Sequence, residues 1–347
     1  EERLLSDQMG LLDVDTVKVL AGRIDLVKDI TWCLSAEVID NLAKVRKLAG
    51  AEGADGTWRP EQIRIYKNIN AVLNSIDRLE VRGRDSAGIS LMFILEKAEF
   101  ERFETALKDE ERFDELQVRC DREVLINGDI HVNERSGIEG GDLVTITFTY
   151  KVAAEIGRLG DNIRFLRQQI QDDDIFHRLA ACPHRFHTVT SHTRWASVGA
   201  ITEANCHPVD NAVVGARNGG CGIIHVCLNG DIDNYMQLRS ELEADGFRLH
   251  DEITTDTKII PLQIEKYIRR GESVEEAFRL AVNDFEGSHA ISMHTDLAPG
   301  RLFLAQKGSG QTIFVGLAND HYMPTSEVYG FVEENDRFLK LDGEKIV

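Results

Sequence analysis

The chain has 347 residues, 42% hydrophobic and 29% charged, with a formal net charge of −19. That length can bury one large core or two modest ones, and the acidic balance argues against a nucleic-acid partner, which needs clustered Lys and Arg. No apolar run approaches the roughly 20 residues that cross a bilayer. Glu1-Glu2-Arg3-Leu4-Leu5-Ser6 lacks the basic start and apolar stretch of a signal peptide. No membrane association and a cytoplasmic location are expected. The six cysteines (Cys33, Cys120, Cys182, Cys206, Cys221 and Cys227) form no CxxC pair, which predicts reduced, mostly buried thiols.

In chain order, residues 1–53 read as helices, with apolar positions at mixed three- and four-residue steps. Gly53-Ala54-Asp55-Gly56 marks a loop, and 63–79 is a second helical run. Residues 89–95 form an apolar run of strand length. Residues 96–143 look like an inserted module, charged up to Glu123, with a hairpin expected around Asn127-Gly128 and a strand from Leu143 to Tyr150. Further on, 222–228 is strand-like and 232–244 helix-like, ended by Gly246. Residues 258–268 form another helix, and Ser273 with Glu276 makes a capping-box pattern before 277–282. Strands are expected at 289–294, 302–306, 312–317, 328–332 and 338–341. Strands flanked by helical stretches suggest sheets covered by helical layers.

Three short motifs carry chemistry. In His192-Thr193-Arg194-Trp195-Ala196-Ser197-Val198-Gly199, a guanidinium beside an aromatic ring and a hydroxyl can grip a carboxylate in two parallel hydrogen bonds. A plain strand whose Arg pairs with a surface acid explains the same residues. Leu228-Asn229-Gly230-Asp231 can be a tight hairpin turn. It can also be an oxyanion hole made by an amide side chain and a backbone N–H that no side chain obstructs. Thr255-Asp256-Thr257 can cap a helix or hold an ammonium group. The Cys182, His184 and His187 group and the Cys206-His207 pair match no zinc spacing, so no metal is expected. Lys307-Gly308-Ser309-Gly310 is too short for a phosphate loop, and no cofactor is implied.

The ordered set is more specific than its members. Arg82-Gly83-Arg84-Asp85-Ser86-Ala87-Gly88, then 192–199, Asn205-Cys206-His207-Pro208, Asn229-Gly230 and Thr255-Asp256-Thr257 resemble the glutaminase half of glucosamine-6-phosphate synthase. The resemblance covers about 71–92 and 145–347 and implies a class II amidotransferase. Its fold would be α+β, a four-layer αββα sandwich of the N-terminal-nucleophile hydrolase type. Residues 1–70 would be a helical addition and 71–347 the glutaminase domain, interrupted at about 96–143. Arg194 would bind the α-carboxylate of L-glutamine and Asp256 its α-ammonium. Trp195 and Ser197 would line the pocket, Asn229 and Gly230 would form the oxyanion hole, and Arg82 would organise the nucleophile's surroundings. Ammonia would pass to a sugar-phosphate isomerase domain or subunit that aminates fructose 6-phosphate, in a homo-oligomeric assembly.

The sequence departs from that pattern chiefly at the nucleophile. The family attacks glutamine with an N-terminal Cys whose own amine is the base, whereas residue 1 here is Glu. Cys33, in an apolar helical stretch, is expected to pack rather than react. Either a leading strand with the Cys precedes Glu1, or the domain is a catalytically inactive glutamine-binding or scaffolding unit. Ser197 replaces a usual Thr and keeps the hydroxyl. Val198 replaces a frequent His and removes one polar contact.

Overall fold

The computed structural model describes residues 3, 12–50, 58–138, 141–153, 158–217 and 221–341. The N-terminal helical rod runs from α1 (Val14–Trp32) through a π-helical stretch (Cys33–Asp40) into α2 (Asn41–Leu48). Asp13 caps its start by accepting from the Asp15 and Thr16 N–H groups. Helix α3 (Pro60–Leu79) follows, with proline in its first turn, where a missing N–H costs nothing. Its Ile65, Ile69, Leu73 and Ile76 recur at three- and four-residue steps and are buried.

Strand β1 (Ser86–Glu96) alternates by face. Ile89, Leu91, Phe93 and Leu95 join the apolar core under α3, which leaves Ser90 and Met92 on the other face. The charged stretch after β1 folds into α4 (Lys97–Asp109) and α5 (Phe113–Cys120). The long strands β2 (Asp129–Ile138) and β3 (Gly141–Ala153) come next, then α6 (Asp161–Gln171), α7 (Asp174–Ala180) and β4 (Phe186–Arg194). These strands make an antiparallel sheet of order β2-β3-β1-β4.

A second antiparallel sheet, of order β5-β6-β7-β8, comprises Val209–Asp210, Ile224–Gly230, His289–Thr295 and Leu302–Lys307. Its apolar core is shared with α8 (Tyr235–Ala244), α9 (Ile259–Arg269) and α10 (Val274–Asp284). The sheets face each other, joined by hydrogen bonds from Ser90 Oγ to His225 Nδ1 (2.7 Å) and from Thr190 Oγ1 to His294 Nδ1 (3.0 Å). The result is the expected four-layer αββα sandwich. A small sheet of β9 (Phe314–Leu317), β10 (Tyr322–Thr325) and β11 (Phe338–Lys340) closes the chain. No helix among the described residues is long and apolar enough to cross a membrane.

Several expectations change. The boundary at residue 70 falls inside α3, because Ile65, Tyr66 and Ile69 belong to the same core as β1. The expected insertion is not a separate module, since β2 and β3 are integral strands of the first sheet. Asn127-Gly128 leads into β2 instead of forming a hairpin tip. Residues 328–332 do not make a strand: Val328–Phe331 is a 3-10 turn, and a Cβ on Gly330 would lie 2.7 Å from Ser75 Oγ. Cys33 is exposed rather than packed, and of the six cysteines only Cys206 and Cys227 are buried. The loop expected at 53–56 lies outside the described residues.

Candidate active site

Strand ends and turns from both sheets converge on one cavity of about 860 Å³. Arg194 ends β4, Asn229 and Gly230 end β6, and Asp256 opens the turn before α9. All seven residues singled out from the sequence, Arg82, Arg194, Trp195, Ser197, Asn229, Gly230 and Asp256, line this cavity. The first sheet presents the whole of β4 to it, on the side not paired with β1. Tyr322–Thr325 of β10 and Ile313 line the same cavity.

Local packing fixes the site's loops. Gly230 has φ +104°, and a Cβ there would sit 2.1 Å from Ser288 O, so a side chain is excluded at the β6 end. Gly199 packs its loop against Thr254 and Thr255, where a Cβ would come within 2.9 Å of backbone. Asp85 Oδ2 accepts from Ala196 N–H (2.8 Å), and Asp85 N–H donates to Arg194 O (3.1 Å). The Arg-Gly-Arg-Asp segment therefore clamps the end of β4. Arg82 itself is more than half exposed and ion-paired with Glu327.

The guanidinium of Arg194 is buried and donates to Val198 O and, at 3.3 Å, to Ala200 O. Burial lowers its pKa, and the nearby Asp256 and Asp85 carboxylates oppose that shift. Asp256 Oδ2 accepts from Ile232 N–H (2.9 Å). Burial raises the Asp256 pKa, and the neighbouring Asp231 raises it further. Ser197 Oγ donates to Asp231 Oδ1 at 2.6 Å. Trp195 is three-quarters exposed at the rim.

Sequence reasoning assigned no role to the residues that hold these groups together. Asn205 Oδ1 accepts from the N–H groups of Thr254 (2.7 Å) and Thr255 (2.9 Å). His207 bonds Thr257 Oγ1 through Nε2 (2.8 Å), and Nδ1 accepts from Leu228 N–H (3.5 Å). Burial, with His192 beside it, depresses the His207 pKa far below the usual value, so the ring is neutral. It ties the Asp256 turn to the strand that carries Asn229. The sequence signal was Asn205-Cys206-His207-Pro208 itself. Among the described residues, no group of three or more His, Cys, Asp or Glu side chains can hold a metal ion.

Residues 217–332 match the glutamine amidotransferase domain family. This chain carries a glutamine amidotransferase domain like that of glutamine–fructose-6-phosphate aminotransferases. It is 34% identical over 158 residues to that enzyme of Methanothermobacter thermautotrophicus, a match covering 45% of this chain and 25% of the relative. The corresponding enzyme of Sulfurisphaera tokodaii is 33% identical over 155 residues, covering 45% and 24%. That of Streptococcus mutans is 31% identical over 160 residues, covering 46% and 24%. The match thus spans about a quarter of the length of these relatives. Among solved structures, the glutamine phosphoribosylpyrophosphate amidotransferase of B. subtilis aligns with a TM-score of 0.40 at 15% identity, covering 73% of this chain and 44% of that one.

Proposed function

We propose that this domain is a class II glutaminase, hydrolysing L-glutamine to glutamate and ammonia. The carrying observation is that Arg194, Asp256, Asn229 and Gly230, from four separate stretches, line one cavity. Arg194 takes the α-carboxylate, since two of its five N–H donors meet backbone carbonyls and the others are left for a ligand. Asp256 takes the α-ammonium, whose positive charge restores the carboxylate that burial disfavours. Asn229 Nδ2 and the Gly230 N–H stabilise the oxyanion.

The nucleophile in this reading is a processed N-terminal cysteine on a strand preceding residue 1. The support is that β4 is an edge strand of the first sheet and lines the cavity along its whole length, so its unpaired edge can take one more strand. The thiolate attacks the side-chain amide carbon, the free α-amine takes the thiol proton and passes it to departing ammonia, and water releases glutamate from the thioester. The likeness to the aminotransferases makes fructose 6-phosphate the proposed acceptor, aminated by a domain outside residues 1–347.

The natural protein treated with an electrophilic glutamine analogue tests this by mass spectrometry. One adduct on an N-terminal cysteine is expected, together with ammonia release that Arg194→Ala abolishes. Normal glutaminase activity in that variant would remove the pocket assignment. Absence of both adduct and ammonia would favour the glutamine-binding scaffold instead.

A further inference from the structure

The cavity holds a second carboxylate that the glutaminase reading leaves without a task. Asp231 follows Gly230 directly and lines the same cavity as Arg194 and Asp256. Its backbone is pinned on both sides. The N–H donates to Ser288 O (3.2 Å), and the carbonyl packs on Gly287, where a Cβ would come within 2.7 Å of it. The side chain is held as well, since Ser197 Oγ donates to Asp231 Oδ1 at 2.6 Å. An acid just ahead of a helix usually caps it, but the N-cap position of α8 belongs to Asn234. Asp231 instead joins the end of β6 to the 192–199 segment.

The guanidinium groups that line the cavity are engaged elsewhere. Arg82 is ion-paired with Glu327 and Arg301 with Glu275, and Arg194 donates to Val198 O and Ala200 O. Asp231 meets a neutral hydroxyl, and Asp256 receives the Ile232 N–H. The two carboxylates lie close enough that Asp231 adds to the rise that burial imposes on the Asp256 pKa. Neighbouring like charges disfavour each other's ionised form, and a cation between them removes that cost.

We infer that Asp231 joins Asp256 in gripping the α-ammonium of the amino-acid ligand, and that Ser197 is the positioning residue that aims it; this rests on the glutaminase reading above. An ammonium group brings three N–H donors and no acceptor, enough for a carboxylate from each of the two turns. One guanidinium and two acids make the site selective for an amino acid whose α-amine is free. Glutamine whose α-nitrogen lies in a peptide bond, or is replaced by a hydroxyl, leaves the two carboxylates without the charge that reconciles them. The hydroxyl at residue 197 thereby gains a purpose beyond lining the pocket.

Ammonia release by the natural protein tests the proposal. Asp231→Asn keeps the shape and removes the charge, and KM for L-glutamine should rise about tenfold, the scale of one lost charge-assisted hydrogen bond. Two competitive inhibitors separate recognition of charge from altered shape. L-glutamate carries the α-ammonium, whereas L-2-hydroxyglutarate carries a hydroxyl in its place. The variant should weaken inhibition by L-glutamate about tenfold and by L-2-hydroxyglutarate less than about twofold. Ser197→Ala should raise KM about threefold alone and add nothing to Asp231→Asn, since it acts through that carboxylate. Equal weakening of both inhibitors, or a KM that Asp231→Asn leaves unchanged, would overturn the proposal while the glutaminase reading stands. No ammonia from the unaltered protein would remove both.

Discussion

The two faces of the first sheet are built on different chemistry. Toward the helices, Ile89, Leu91, Phe93, Ile146 and Phe148 meet Tyr66, Leu166 and Phe176 in a continuous apolar core. Toward the second sheet, the same strands show Ser90, Thr145, Thr147, Thr149 and Lys151, all buried. The facing strands answer with His225 and His294. Burial of apolar area is non-directional and adds up, so the outer core supplies cohesion and tolerates little loss of volume. Buried polar groups instead need specific partners. The inner layer therefore fixes how one sheet sits on the other, and with it the distance between Arg194 on β4 and Asn229 on β6.

Truncation on the outer face should give the largest stability loss. Phe176 is fully buried, edge-on to Tyr66 and Phe148 with ring centroids 6.0 and 5.5 Å away. Phe176→Ala should cost about 3–5 kcal/mol by urea unfolding, from lost transfer energy plus the cavity. A loss below about 1 kcal/mol would mean that the outer core repacks freely.

A smaller stability change with a larger functional one is expected between the sheets. Asn205→Ala strips the acceptor from two backbone N–H groups, worth about 1–3 kcal/mol. Because the freed turn carries Asp256, KM for glutamine should rise more than kcat falls. Steady-state kinetics at matched folded fraction separates the two, and an equal fall in kcat and kcat/KM, with KM unchanged, would place Asn205 outside substrate positioning.

Smaller still is Ser90→Ala, which removes a hydroxyl from His225 and should cost about 1–2 kcal/mol by urea unfolding. If that loss exceeded the Phe176→Ala loss, the division between cohesive and orienting faces would fail.

Legibility in the sequence follows the same division. Strand β1 announces itself as a short apolar run, 89–95, and helix α3 by buried residues at steps of three or four. The residues that line the cavity stand out only as an ordered set, through their resemblance to the glutaminase family, since each motif alone also reads as a plain strand, a hairpin turn or a helix cap. Strand β4 was harder: Phe186-His187-Thr188-Val189-Thr190-Ser191-His192 shows little apolar alternation, since one of its faces looks into the polar layer and the cavity. Helix α6 is short and its buried Ile163, Leu166 and Ile170 keep helical spacing among mostly polar residues, which weakens its signal in the sequence. The bracing by Asn205 and His207 depends on residues about 50 positions apart. No local pattern encodes that distance; only folding brings the turn to them.

The last test uses pH to ask whether the inner layer is held by neutral histidines. Burial lowers the His225 pKa from 6.5 to about 3. Its folded value lies below its unfolded one, so the unfolded chain binds the extra proton between those limits. The stability His225 contributes is complete above pH 6.5 and is lost as the pH falls from there toward about 3. His225→Gln keeps a polar side chain beside Ser90 but cannot titrate. Across pH 6 to 4 the unaltered chain should lose up to about 1.4 kcal/mol per pH unit more than the variant, by urea midpoints at constant m. Comparing the two proteins cancels the other titrating groups. Parallel curves would mean that His225 takes a proton in the folded state, and that the sheets are joined at that point by a charged group.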